Sequence, residues 1–214
     1  MWELFLRGTG ETLVMTFASG FFGFLIGLPL GVVLFITREG EICESRAVNL
    51  SLSTVINVFR AIPFIILIVW MIPFTRMVAG TSIGVWAALV PLSAGAAPFI
   101  ARMAENSFLE VPQGLIEASR AMGATPFQIV RKVLVPEALP SLINCVTITL
   151  ITLTGYSAMG GAVGAGGLGQ IGYQYGYVGY DMVTMNIVLA LLVLLVFGIQ
   201  AAGNYISKKT DHRN

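Results

Sequence analysis

Charge is missing from long stretches of this chain, and that gap limits what it can fold into. Asp, Glu, Lys and Arg are absent from Thr12–Thr37, Met77–Ala101, Ala138–Tyr180 and Met182–Ser207, and Ala47–Thr75 is interrupted only by Arg60. A helix crossing the hydrocarbon core of a bilayer needs roughly 20 mostly apolar residues. Soluble domains carry about 25 % charged residues; here the share is 11 %, against 56 % apolar. Four of the stretches have room for one membrane helix each. Ala138–Tyr180 is long enough for two, but from Gly155 onward it turns rich in Gly and Tyr, a poor composition for a helix. One helix followed by a loop is expected there.

The sequence therefore predicts an all-α integral membrane protein. It is a single transmembrane domain over 1–214, with spans at about 12–37, 54–75, 80–104, 138–158 and 183–206. Thr12–Thr37 is too long for the apolar core of a cleavable signal peptide, and Met1–Glu11 holds one Arg against two Glu, so this span is expected to stay as an anchor. With five spans the connections fall into two sets. Arg38, Arg46, Arg102, Arg120, Arg131, Lys132, Lys208, Lys209 and Arg213 lie in one set, and Arg7 and Arg76 in the other. Basic residues concentrate on the cytoplasmic side. The expected orientation is N-terminus outside and C-terminus in the cytoplasm.

Several function classes lose support. A net charge of +1 gives no sign of nucleic-acid binding. The single His212 lies in the polar tail, and Cys43 and Cys145 fall in different environments, so no metal set and no disulfide are expected. No Asp, Glu or Lys lies deep in a predicted span, which disfavours an ion-coupled carrier. Arg60 is either a side chain reaching for the interface or a contact to phosphate, partner or pore. Gly20, Gly23, Gly27 and Gly31 line one helix face suited to close contact, within the subunit or between two copies. Pro29, Pro63, Pro73, Pro91 and Pro98 mark kinks or ordinary bundle geometry.

The stretch GAGGLG, 164–169, has the letters of a dinucleotide-binding turn. That turn requires a preceding strand and an acidic residue about 20 positions later. Here an apolar span precedes it, and the fifth span occupies the later position. The 159–182 segment reads instead as an external Gly- and Tyr-rich loop making a tight or re-entrant turn. Tyr173, Tyr175, Tyr177 and Tyr180 suit a membrane interface. Tyr156, Ser157 and Met159, at the outer end of the fourth span, are candidates for the pathway and its gate.

The 110–136 segment carries most of the functional signal. A short helix is predicted over Leu115–Met122, stopped by Gly123 in the left-handed conformation. Thr125 then caps a second helix, with Pro126 at its first position and Gln128 completing a capping box. Leu115, Ala118 and Met122 share a face, and Glu117 can pair with Arg120. A partly apolar helix outside the membrane fits docking on a cytoplasmic partner, a surface-lying amphipathic helix, or a plain linker.

In this segment the chain resembles the membrane subunits of bacterial binding-protein-dependent ABC importers, whose cytoplasmic loop has the form EAA-x3-G-x9-I-x-LP. The match is Glu117, Ala118, Ser119, then Gly123, then Val133, Val135 and Pro136, with the spacing kept. Ser119, Val133 and Val135 stand where the pattern has Ala, Ile and Leu. The segments FRAIPFIILIVWMIPFTR, GAAPFIARM, GLIEASRAMGATP and GYSAMGGAVGAGGLGQIGYQYGY extend the likeness to methionine importers over nearly the whole chain. The resemblance implies a compact type I importer permease fold in the bacterial inner membrane. It implies a homodimer, two ABC ATPase subunits, and an external methionine-binding protein delivering D- or L-methionine. It places ATP and Mg on the ATPase, with no cofactor on this chain and no catalysis of its own. Glu117, Ala118, Ser119, Met122, Gly123 and Pro136 would belong to the coupling element. A same-fold permease for another amino acid is the alternative.

Overall fold

A computed structural model describes residues 1–210; His212 and Arg213 lie outside the described residues. Among the described residues every regular element is helical. The helices are α1 (Trp2–Ile36), α2 (Arg46–Ala61), α3 (Phe64–Trp70), α4 (Ile72–Ala79), α5 (Val85–Leu109), α6 (Gln113–Ala121) and α7 (Pro126–Ile129). A π-helical turn, Val130–Leu134, leads through α8 (Val135–Glu137) into α9 (Leu139–Gly161). Then come α10 (Gly167–Ile171), a second π-helical turn over Gly172–Val178, and α11 (Met182–Thr210). Four of these, α1, α5, α9 and α11, are long and apolar enough to cross a membrane, and the bent pair α2–α3 supplies a fifth candidate.

Packing at small residues sets the arrangement. A Cβ on Gly23 would sit 2.9 Å from the Ala96 Cβ, one on Gly27 2.6 Å from the Ala97 carbonyl, and one on Gly31 2.7 Å from the Ala101 carbonyl. Advancing along α1 thus advances along α5, so the two helices run parallel with backbones in close approach. The glycine face is spent inside the subunit. Thr16 meets the Thr154 hydroxyl at 3.4 Å, and a Cβ on Gly20 would meet Leu150, so α9 runs antiparallel to α1. Ser207 reaches the Pro140 carbonyl and Gly203 abuts Thr147, which sets α11 antiparallel to α9. Two parallel neighbours need a return path between them. The chain provides it through α2, α3 and α4.

That return differs from the single span expected over 54–75. The axes of α2 and α3 meet at 98°. The cause is local: Pro63 lacks an N–H, and the residue before it, Ile62, is extended (φ −77°, ψ 122°). Pro29, Pro91 and Pro98 remain inside continuous helices. Other boundaries also move. Helix α1 starts at Trp2, ten residues before the uncharged stretch, because Arg7 and Glu11 pair at i, i+4 with 2.8 Å between them. Helix α5 covers 85–109, five residues later at each end than expected, because α4 and the left-handed Gly80 (φ 74°) occupy 72–80. The 159–182 segment is largely helical rather than a loop.

Of four buried clusters among the described residues, the two largest matter most here. Met15, Phe64, Leu67, Leu92, Ile100 and Leu153 fill the middle. Phe35, Phe108, Ile116, Ile129, Leu134 and Leu142 fill the end where α1 and α5 finish, with the Phe35 and Phe108 rings 5.9 Å apart. The latter cluster is the base on which α6 is mounted.

Candidate functional site

Helix α6 is held from one side only. Ile116 and Ser119 point down and are buried, Ile116 into the Phe35–Phe108 cluster and Ser119 Oγ donating to the Leu115 carbonyl at 2.7 Å. Its first residue is tied as well: Gln113 Nε2 donates to Glu41 Oε1 at 2.7 Å, fastening α6 to the loop after α1. The upper side is bare. Met122 is 80 % exposed, and Leu115 and Ala118 are exposed beside it. Phe127, on α7, is 71 % exposed and outside the sequence motif. It joins the three expected residues in an apolar, outward-facing surface of the kind that marks a docking site. A bulky apolar residue in the first turn of a capped helix is the one sequence hint for it; that it lacks a partner shows only in the structure.

The turn between α6 and α7 follows the local chemistry. Gly123 has φ +79° with open space around it. The amide of Thr125 donates to Gln128 Oε1 at 2.9 Å, and Thr125 Oγ1 accepts from the Gln128 amide at 3.4 Å, closing the capping box. Helix α6 covers 113–121 rather than 115–122. Glu117 and Arg120 are exposed, and among the described residues they form no ion pair. Solvent screening makes such an exposed pair worth little. Pro136 is exposed at the start of α8, with Val133 and Val135 half-buried beside it.

A polar lock behind this surface escaped the sequence reading. Glu105 is 5 % exposed and accepts from Arg102 Nη1 at 2.6 Å, with Arg38 Nη1 at 3.7 Å. Arg102 Nη2 also donates to Ser53 Oγ at 2.7 Å and Asn57 Oδ1 at 3.0 Å. A buried carboxylate demands such partners, and these fasten α5 to α2 and to the loop after α1.

At the other end, GAGGLG forms a helical reversal. Gly164, Gly166 and Gly167 have φ of 89°, 96° and 73°. The first free amides of α10 are taken by α1: Gly167 N–H donates to Glu11 Oε2 at 2.8 Å, and Leu168 N–H to Thr12 Oγ1 at 2.9 Å. A Cβ on Gly161 would strike Gln170 N, and one on Gly169 would strike the Ala158 carbonyl. Helices α9 and α10 therefore touch backbone to backbone, and the α10 amides that a dinucleotide phosphate would need are already bonded to Glu11 and Thr12. Glycine's poor helix propensity, the reason for expecting a loop, is outweighed by this contact.

The three pathway candidates separate. Tyr156 stacks on Phe64, centroids 4.3 Å apart and planes 1° apart, at the wall of a cavity. Ser157 is buried, and its hydroxyl donates to the Thr154 carbonyl at 2.8 Å, so within this chain it is bound to its own helix. Met159 is 51 % exposed on the outside of α9. The tyrosines of the Gly/Tyr-rich end are exposed, with Tyr173 and Tyr177 stacked at 5.7 Å. Cys43 is an exposed free thiol and Cys145 a buried one.

Residues 23–211 match the family described as binding-protein-dependent transport system inner membrane components. The chain belongs to this family. The D-methionine transport system permease protein MetI of Salmonella typhimurium is 71 % identical over 161 residues, covering 75 % of this chain and 74 % of that protein. Its namesake in Escherichia coli K12 is 69 % identical over the same shares. The probable D-methionine permease of Vibrio cholerae is 48 % identical over 99 % of this chain and 94 % of its own. Among solved structures, a chain of the MetNI methionine ABC transporter in inward-facing conformations matches with a TM-score of 0.98 at 67 % identity, covering 99 % of this chain and 98 % of that one. A chain of an amino acid ABC transporter with histidines shares the fold, with a TM-score of 0.78 at 20 % identity over 97 % and 94 % of the two chains. As a family member with this fold, the chain is the membrane component of a transporter.

Proposed function

We propose that this chain forms the translocation pathway of an ATP-driven methionine importer, as a homodimer with two ABC ATPase subunits below it. The observation that carries the reading is the near-complete superposition on the MetNI chain at 67 % identity. The bare apolar top of α6 supports the mechanical half. A groove on the ATPase would take Leu115, Ala118, Met122 and Phe127, with Glu117 and Arg120 at the rim. Ile116, Ser119 and the Gln113–Glu41 bond fix the helix to the ends of α1 and α5, so a displacement of α6 is passed on rather than absorbed.

The cycle follows. ATP binding draws the ATPases together, each α6 follows as a lever, and the spans reorient to face outward; hydrolysis resets them. ATP and Mg stay with the partner, and this chain performs no chemistry. The basic end of the molecule faces the cytoplasm, and the Gly/Tyr-rich end faces a methionine-binding protein outside.

The test is reconstitution of the chain with its ATPase and binding protein in liposomes, followed by labelled methionine. Uptake that depends on ATP and on the ATPase subunit is expected. Uptake without an ATPase subunit, or transport of a different amino acid in its place, would overturn the reading.

A further inference from the structure

Arg60, left with two readings by the sequence, lies beside the sharpest bend in the molecule. It ends α2, one turn before Pro63, and its guanidinium enters no ion pair among the described residues. It lines a cavity of about 120 Å³ whose walls include Phe59, Phe64, Phe99 and Tyr156. The bend opens the backbone as well. The carbonyls of Arg60, Ala61 and Ile62 accept no backbone hydrogen bond among the described residues, because Pro63 has no N–H and α3 starts in another direction. Gly95 keeps the far wall open: a Cβ there would stand 3.3 Å from Leu67 and 3.4 Å from Phe64.

One cation, the C-terminal end of α2 and an aromatic wall thus meet at one cavity, which Arg60 and Ile62 line from α2 and its cap. Each satisfies a different part of one kind of molecule. A guanidinium binds a carboxylate through paired hydrogen bonds. Unpaired carbonyls at the negative end of a helix attract an ammonium group, and inside a membrane protein they need water or a ligand as partner. Aromatic rings take an unbranched apolar side chain, and a thioether especially. The cavity, about 120 Å³ and open to the surface, is many times the roughly 10–15 Å³ that a single water needs.

We propose that this cavity is an amino-acid subsite in the permease itself, with Arg60 on the substrate carboxylate, the α2 carbonyls on its ammonium, and Phe59, Phe64, Phe99 and Tyr156 around its side chain. The proposal rests on the amino-acid importer reading above and adds a second point of selection to the binding protein. It also gives Tyr156 a role as a wall of the site, which its stacking on Phe64 pre-organises.

The experiment uses the purified permease–ATPase complex without binding protein, and two labelled probes: L-methionine and L-methioninamide, which lacks the carboxylate. The intact complex should bind methionine saturably and prefer it to the amide about tenfold or more. Arg60→Gln should remove that preference, leaving both probes equally weak, and Arg60→Lys should restore part of it. A purely structural role for Arg60 would lower both probes together and keep the preference. Gly95→Leu, which fills the cavity without touching the charge, should weaken both. The proposal is overturned if Arg60→Gln keeps the preference, if Gly95→Leu binds like the parent, or if the intact complex transports methionine in liposomes yet shows no saturable binding. Absence of methionine uptake by the intact importer would instead defeat the functional reading, and the subsite with it.

Discussion

Two helical turns at opposite ends of the molecule depend on glycine, and they use it differently. Between α6 and α7, Gly123 turns left-handed in open space, and the helix it ends presents a bare apolar face. Between α9 and α10, Gly161 and Gly169 have nothing unusual in their own φ but leave no room for a side chain, because each lies against the other helix's backbone. Three left-handed glycines complete that reversal, and Glu11 and Thr12 of α1 satisfy its amides. The first turn is built to be gripped from outside. The second is built to hold its shape. The proposed coupling, in which one end moves under an ATP-driven partner, would need both.

The largest expected effect lies in the packed turn. Gly169→Val should cost at least about 3 kcal/mol, because the atoms in the way are backbone and have no rotamer to yield. For a chain of this size that is a fall in Tm of roughly 6–12 °C. Thermal unfolding of the purified chain in detergent measures it. A variant with the Tm of the parent would mean that α9 and α10 separate freely, and the contrast between the two turns would fail.

Gly123→Val should do the reverse. The left-handed conformation costs a side chain about 1–2 kcal/mol, and more for a β-branched one, but no neighbour is struck. Stability should therefore fall by only a few degrees in Tm, while methionine uptake drops at least about tenfold through loss of the α6 geometry. Uptake and ATPase stimulation assayed on the same liposomes decide it. Full uptake with full ATPase stimulation would show that α6 is no lever.

The same contrast explains what could be read in advance. The α6–α7 turn was legible to the residue, since Gly123, Thr125, Pro126 and Gln128 act through bonds to near neighbours in sequence. Uncharged length was enough to expect the long helices α1, α5, α9 and α11, though not their bounds, since α1 begins ten residues earlier and α5 lies five residues later. The Gly/Tyr-rich end was misread as a loop, because propensity charges glycine with a cost and cannot see the backbone contact that offsets it. Which proline bends was likewise not legible: Pro29, Pro91 and Pro98 look the same as Pro63 in sequence yet stay within helices. Arg102 and Glu105 were counted as a cytoplasmic charge and an unremarked residue, while their partners Ser53, Asn57 and Arg38 lie far along the chain. Phe127 escaped because burial, not composition, reveals an apolar residue without a partner.

The smallest effect concerns a third way to begin a helix at the Gly/Tyr-rich end, by a side chain instead of a glycine. Asp181 stands just before α11. Its carboxylate accepts from the Thr184 hydroxyl, the Thr184 amide at 3.2 Å and the Val183 amide at 3.0 Å. These bonds, the Thr184 hydroxyl first, hold its pKa below the usual 3.8. A carboxylate lowered on folding stabilises the fold fully above its unfolded pKa, and the gain is lost as pH falls through the lower folded value. Asp181→Ala should therefore lower Tm by no more than a few degrees near neutral pH. The gap between parent and variant should stay constant down to about pH 5, then close as the pH drops below 3.8. A gap that widened on acidification would reverse the sign and remove the cap from the account of α11. A gap as large as that of Gly169→Val would mean that the start of α11, and not the α9–α10 contact, holds this end of the molecule in shape.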